Sequence, residues 1–220
     1  MKSPAIPITI ENIRKVHADR RTEIRRKISE FRSILKNGDN DRLWEEMVFC
    51  FFTGGCSARM GLNSIEAVRH LIRHGSHEEL MNTLLGKHRY PRARSRYIVE
   101  SREFLLEDCN LDLLSKLKAF NDHESRRDWL AKTKGIKGLG YKEASHYLRN
   151  IGFKGYGILD KHILKCLSEL GLIEEPKPPT NRSRYLETEM KLRELSSLID
   201  IDFDELDLVL WSMKTGEILK

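Results

Sequence analysis

The sequence predicts an all-α protein of about ten helices. Three observations lead there. Apolar residues recur at three- and four-residue spacing along most of the 220 residues. No stretch alternates apolar and polar residues as a half-buried strand must. Helix-stop and helix-start residues punctuate the periodic segments. With 40% hydrophobic and 8% aromatic residues, the chain has enough apolar surface to fold around a core and is not a disordered polyelectrolyte.

Taken in order, Ile13, Val16, Ile24, Ile28, Phe31 and Leu35 share one helical face, and Asn37-Gly38 supplies a stop. Leu43, Trp44, Met47, Val48 and Phe51 form a strongly apolar second helix that ends near Gly54-Gly55. Ser76, with Glu79 three residues on, has the form of a capping box. Pro91 stands where a helix through Tyr97, Ile98 and Phe104 begins. Further helical patterns cover 111–119, 124–132, 141–151, 160–170, 182–199 and 203–213. The stretch "EEPKPPT" connects two of them, and no repeat of 20–50 residues is visible.

Charge is unevenly spread. Lys and Arg total 39 against 33 Asp and Glu, a net charge of +6. Residues 1–37 carry ten basic and four acidic side chains; residues 87–102 carry six and one; residues 132–165 carry eight and two. The last stretch, 199–220, reverses sign with six acidic and two basic. Basic segments that converge on one face are the footprint of a polyanion partner.

Other classes fall away. No apolar run approaches the roughly 18 residues that span a bilayer, and "MKSPAIPITIENIRK" lacks the pattern of a secretory signal. No membrane partner and a cytoplasmic location are therefore expected. The four cysteines (Cys50, Cys56, Cys109, Cys166) form no CxxC pair and no Cys–His cluster, which leaves no framework for zinc or iron–sulfur binding. Buried free thiols are expected, and no cofactor.

The chemistry concentrates in "KGLGYKEASHYLRNIGFKGYGILDKHILK". Gly138 and Gly140 allow a tight turn whose amides, with those opening the next helix, suit a phosphate oxygen. Lys137 and Leu139 complete this backbone-binding turn, and "ESRRDWLAKTKGI" reads as the helix before it. Lys142 lies just inside the helix, among cations, where the ammonium form is disfavoured and the free amine is a nucleophile. Asp160, eighteen residues on, is a good N-cap, and a carboxylate there can also stabilise positive charge on a sugar ring.

"KGLGYKEASHYLRNIGF" with "ILDKHIL" closely resembles the helix–hairpin–helix DNA glycosylase superfamily. More narrowly, it looks like the compact, second class of archaeal and bacterial 8-oxoguanine DNA glycosylase/AP lyases. "MVFCFFTGG" and "SRYIVESREFL" extend the resemblance over most of the chain. It implies a two-lobed helical fold with the active-site cleft between lobes, a central lobe near 40–120, and a second lobe from 1–39 and 121–220 that carries the hairpin and catalytic residues. It also implies a nucleoid-associated monomer acting on double-stranded DNA that contains oxidised guanine.

Carried over by that resemblance, Lys142 is the catalytic lysine and Asp160 the catalytic aspartate, with Trp211 and Lys220 at the base pocket; Tyr90, like Trp211, is an aromatic side chain that can stack on the extruded base. Two departures stand out: "FCFFTGGCSARMG" differs from the family's pattern there, which leaves residues 53–56 unassigned, and Gly135-Ile136 is extra ahead of the hairpin. The alternative is a non-catalytic helix–hairpin–helix module, which needs the glycines and basic faces but not the Lys142–Asp160 pairing. The resemblance also places Lys220 against the base pocket. Deleting Lys220, or appending residues after it, should impair excision of 8-oxoguanine while sparing cleavage at a preformed abasic site, measured on duplexes of each kind. Equal loss of both would mean misfolding.

Overall fold

In a computed structural model, residues 6–219 are described, and among them there are eleven α-helices and no strand. The predicted all-α class holds. The helices are α1 (Ile10–Asn37), α2 (Asn40–Thr53), α3 (Ala58–Val68), α4 (His77–Leu84), α5 (Pro91–Cys109), α6 (Leu113–Lys118), α7 (His123–Lys132), α8 (Tyr141–Asn150), α9 (Lys161–Glu169), α10 (Arg182–Ile199) and α11 (Phe203–Thr215). Lys220 lies outside the described residues.

Packing divides the chain into two units, Arg32–Phe153 and the remainder, residues up to Phe31 with Lys154 onward. The first boundary falls within α1, and the second follows α8. The predicted lobes put 121–153 with the C-terminal helices; packing instead groups these residues with α2–α6, because α7 packs on α8 and α8 packs on α2.

In the Arg32–Phe153 unit, α2 is the core. Residues Glu46 to Thr53 are all buried, so the helix has no solvent face along its second half, and α3, α5, α6 and α8 pack on it. Each large apolar side chain taken out of water there contributes about 1.5–3 kcal/mol. Trp44 donates its indole N–H to the Ile72 carbonyl at 3.1 Å. Glu46, fully buried, is paired with Arg42 at 2.7 Å, which keeps it from being an isolated interior charge.

The apolar periodicity missed α3. Its buried face is Gly61, Ser64, Ile65 and Val68, spaced i, i+3, i+4, i+7. Two of those four are small residues, so a search for large apolar side chains does not see the helix. They are small because α3 lies close on α2: a Cβ at Gly61 would stand 2.9 Å from Thr53 Cγ2 and 3.0 Å from Phe49 Cε2.

In the other unit, α11 packs on α9 and α10. The N-terminal part of α1 is tied in by charge. His17 Nε2 lies 2.6 Å from Glu205 Oε2, Arg25 donates to Glu205 Oε1 at 3.0 Å, and Arg14 donates to the Ile199 carbonyl at 3.3 Å. Burial pushes the Glu205 carboxyl up, but the hydrogen bonds from His17 and Arg25 outweigh it and hold the group below the ordinary carboxylate range. That contribution to stability is present above the ordinary carboxylate range and is lost as pH falls through the lowered one.

The close approach of α3 makes a checkable claim. Gly61→Val should destabilise the protein by roughly 1–3 kcal/mol through overpacking against Phe49, read as a lower denaturation midpoint in urea.

Candidate active site

The segment predicted to grip DNA is built as a hairpin between α7 and α8. Asp122 caps α7 through Ser125 N–H. The hairpin that follows is docked on α5. Gly135 rests on the Phe104 ring, Ile136 is buried, and the Lys137 amide donates to Ser101 Oγ at 2.8 Å. The two residues that looked like an insertion therefore anchor the turn. Gly138 has φ +72, and a Cβ there would come within 2.5 Å of the Tyr97 ring. Both facts demand glycine. Gly140 is the N-cap residue of α8 and makes no side-chain cap.

That last feature separates α8 from most other helices. Asp39, Ser57, Ser76, Asp112, Asp122, Asp160, Asn181 and Asp202 each accept amides at the start of a helix. The predicted capping box at Ser76 and Glu79 is present. At α8 the first amides have no capping side chain, and the positive end of the helix dipole is open to an anion from outside.

Lys142 sits in the first turn of α8, a quarter exposed, with Nζ 2.9 Å from Glu143 Oε1. The sequence prediction counted only positive neighbours around this amine; the structure adds a carboxylate. Glu143 connects the lysine to residues 53–56, which the sequence left unassigned. A Cβ at Gly54 would stand 3.6 Å from Glu143 Oε1 and 3.2 Å from Arg94 Nη2, and Arg94 donates to the Gly54 carbonyl. The α2–α3 turn is thus part of the lysine's surroundings, and only folding brings it there.

Tyr90 stands at the start of α5, more than a third exposed, with the guanidinium groups of Arg89 and Arg94 5.1 and 5.6 Å from its ring centre. Arg94 also lies 5.2 Å from the Tyr97 ring that supports Gly138. His88 sets this arrangement. Its Nδ1 accepts the Tyr90 amide at 2.9 Å, so Nε2 carries the proton given to the Phe52 carbonyl at 3.1 Å. Burial holds its imidazole below the ordinary range, with Arg94 adding to that effect and the Phe52 carbonyl opposing it.

Within the other unit, Asp160 caps α9, with Oδ1 accepting the amides of His162 and Ile163 at 2.8 and 2.9 Å. Oδ2 has no hydrogen-bond partner among the described residues, so the cap occupies only half of the carboxylate. His162 stands edge-on to Trp211, ring centres 6.3 Å apart, which brings Trp211 to the same end of α9 as Asp160. Burial pushes the His162 imidazole below its ordinary range, against the pull of the Asp160 carboxylate.

Among the described residues no group of three His, Cys, Asp or Glu converges as a metal site. The cysteines are free thiols, Cys50 and Cys166 buried, and burial pushes the Cys166 thiol up to about 12, too high for a nucleophile or ligand at neutral pH. No helix among the described residues is long and apolar enough to cross a membrane.

Comparison with known proteins identifies the family. Residues 24–201 match the family model described as 8-oxoguanine DNA glycosylase. The chain belongs to that family. An 8-oxoguanine DNA glycosylase/AP lyase of Korarchaeum cryptofilum is 43% identical over 199 residues, 90% of each chain. One from Fusobacterium nucleatum is 35% identical over 214 residues, 94% of this chain and 96% of that one. The crystal structure of the Methanocaldococcus jannaschii 8-oxoguanine glycosylase/lyase in complex with a 15mer DNA containing 8-oxoguanine superposes with a TM-score of 0.88. It is 33% identical and covers 96% of this chain and 99% of that one. The Thermotoga maritima 8-oxoguanine DNA glycosylase gives a TM-score of 0.86 at 31% identity.

In this glycosylase the basic segments do not all face solvent. Arg94, Arg102, Arg126, Arg127 and Arg149 are buried. Arg126, for example, donates to the carbonyls of Leu117 and Phe120 at 2.8 and 2.7 Å. Arg94 lies inside the protein, with Nη2 donating to the Gly54 carbonyl. Lys87, Arg89, Arg92, Arg96, Lys132 and Lys134 are among the exposed cations of residues 87–102 and 132–165. Arg96→Ala should therefore weaken lesion and undamaged duplexes about equally and reduce the salt slope of binding by about one. Arg94→Ala should instead lower stability by roughly 1–3 kcal/mol, the cost of a lost buried hydrogen bond. Salt titrations of binding and urea melts separate the two.

Proposed function

We propose that this chain excises 8-oxoguanine from double-stranded DNA and then cuts the strand at the resulting abasic site, with Lys142 as nucleophile and Asp160 as the supporting carboxylate. The observation that carries this reading is a lysine in the first turn of an uncapped, hairpin-preceded helix, in a chain that matches the 8-oxoguanine DNA glycosylase family over residues 24–201. The relatives it matches bear the name 8-oxoguanine DNA glycosylase/AP lyase, which names both steps.

The chemistry follows from the groups present. The hairpin amides and the open end of α8 hold a backbone phosphate without reading sequence. The target nucleotide leaves the stack, at a cost of a few kcal/mol that aromatic contacts offset; Trp211 and Tyr90 are the aromatic groups we assign to the extruded base and its surroundings. Lys142, as the free amine, forms a bond from Nζ to C1′ while the C1′–N9 bond breaks, and the base departs with its electron pair and takes up a proton. Positive charge that develops on the sugar is stabilised by the half-free carboxylate of Asp160. Opening of the sugar ring gives a Schiff base. Loss of a C2′ proton then expels the 3′ phosphate and cuts the strand. No step calls for a metal or redox cofactor.

Borohydride trapping on a duplex with one 8-oxoguanine tests the assignment. The wild type should yield a covalent protein–DNA adduct, and Lys142→Gln should yield none. Asp160→Asn should slow excision by about 10²–10³-fold, the range for loss of a preorganised charge-stabilising group, with duplex affinity nearly unchanged. A wild type that binds but never cleaves or traps would mark a non-catalytic binding module.

A further inference from the structure

We infer that one face of α10, Tyr185, Glu189 and Arg193, positions Asp160 by clasping the peptide groups of the loop that delivers it. The inference rests on the reading of Asp160 given above, and adds to it the residues through which that carboxylate is held.

Residues 156–160 have no helix or strand to pair their peptide groups, yet residues 156–159 are buried. Buried N–H and C=O groups need partners, and here side chains supply them. The Gly157 amide donates to Glu189 Oε1 at 2.8 Å, and the Gly157 carbonyl accepts the Tyr185 hydroxyl at 2.7 Å. The same hydroxyl oxygen accepts the Leu159 amide at 3.4 Å, one residue before Asp160. Arg193 donates to the Gly155 carbonyl at 2.9 Å, while the Gly155 amide donates to Asp204 Oδ1 of α11 at 2.7 Å. Both polar groups of Gly155 and of Gly157 are thereby held by side chains.

The three α10 residues are spaced by four, so they fall in one row along the helix. Tyr185 is 2% and Glu189 7% exposed, which removes competing water. Arg193 is itself seated, with its guanidinium carbon 4.1 Å from the Phe203 ring centre. Space is as tightly set as polarity. A Cβ at Gly157 would stand 3.1 Å from Glu189 Cγ and 3.2 Å from Phe203 Cζ. A helix start needs one capping group, and Asp160 already provides it with Oδ1. The row on α10 adds nothing to that cap. It sets where the loop, and so the remaining oxygen of Asp160, stands. Tyr185, Glu189 and Arg193 are positioning residues, since none contacts the carboxylate.

The experiment uses the full chain and single-turnover excision from an 8-oxoguanine duplex at saturating enzyme, with affinity measured separately. Tyr185→Phe removes one oxygen and keeps the ring. It should lower the excision rate by on the order of tenfold, as small misplacements of a reacting group do, with the dissociation constant for the lesion duplex unchanged. Glu189→Gln, which keeps an acceptor oxygen for the Gly157 amide, should lose less rate than Glu189→Met, which has none. In an Asp160→Asn background, Tyr185→Phe should cost nothing further, because the group it positions is gone. A Tyr185→Phe enzyme at the wild-type rate overturns the proposal, as does an equal loss in both backgrounds or a loss of affinity that matches the loss of rate. A wild-type rate in Asp160→Asn alone overturns the role of Asp160 and this inference with it, so the two failures are told apart.

Discussion

Helix α2 has no solvent-facing side along its second half, and the Arg32–Phe153 unit is arranged to satisfy that constraint. A helix buried all round must be covered by other helices, and α3, α5, α6 and α8 do the covering. The cover also fixes where α8 stands. Lys142 is carried on α8, and α8 is held where it is because its own face, Ala144 through Asn150, is buried. Where the cover must come closest, at Gly61, the chain uses a residue without a side chain.

The same unit leaves helix starts open selectively. A first turn has amides without intrahelical partners, and short polar side chains meet that need at most helices here. At α8 the cap position is glycine, and at α5 it is Tyr90 followed by Pro91, neither with a side-chain cap. Open amides in water are inexpensive; open amides beside a polyanion are a binding site. Exposed cations lie near both ends, whereas the buried Arg94 and Arg126 donate to internal carbonyls. Net charge alone would not have distinguished those two uses of arginine.

In the other unit the problem is inverted. An irregular buried segment leads to Asp160, and its glycine peptide groups are met by side chains from α10 and α11 rather than by backbone. Glycine makes the close approach feasible, and the surrounding side chains restore the rigidity that glycine removes. A loop held this way presents a carboxylate in one place although no regular element contains it.

Much of this protein was legible in its residues. Helical spacing predicted the all-α class, and Ser76, Pro91 and Asp160 marked helix starts where the structure has them. The motif from Lys137 to Asp160 marked the turn and the starts of α8 and α9, because turn glycines and caps act locally and leave a local trace. What escaped has a common cause. The buried face of α3 is partly Gly and Ser, the partners of Gly54 and Glu143 come from separate helices, and Tyr185 meets Gly157 across 28 residues. The sequence by itself determined the all-α class and most of its helices, and it drew attention to the segment from Lys137 to Asp160. Only the tertiary structure decided which arginines face solvent, which carboxylate meets Lys142, and what holds the loop before Asp160, since burial and long-range contact are properties of packing and have no period along the chain.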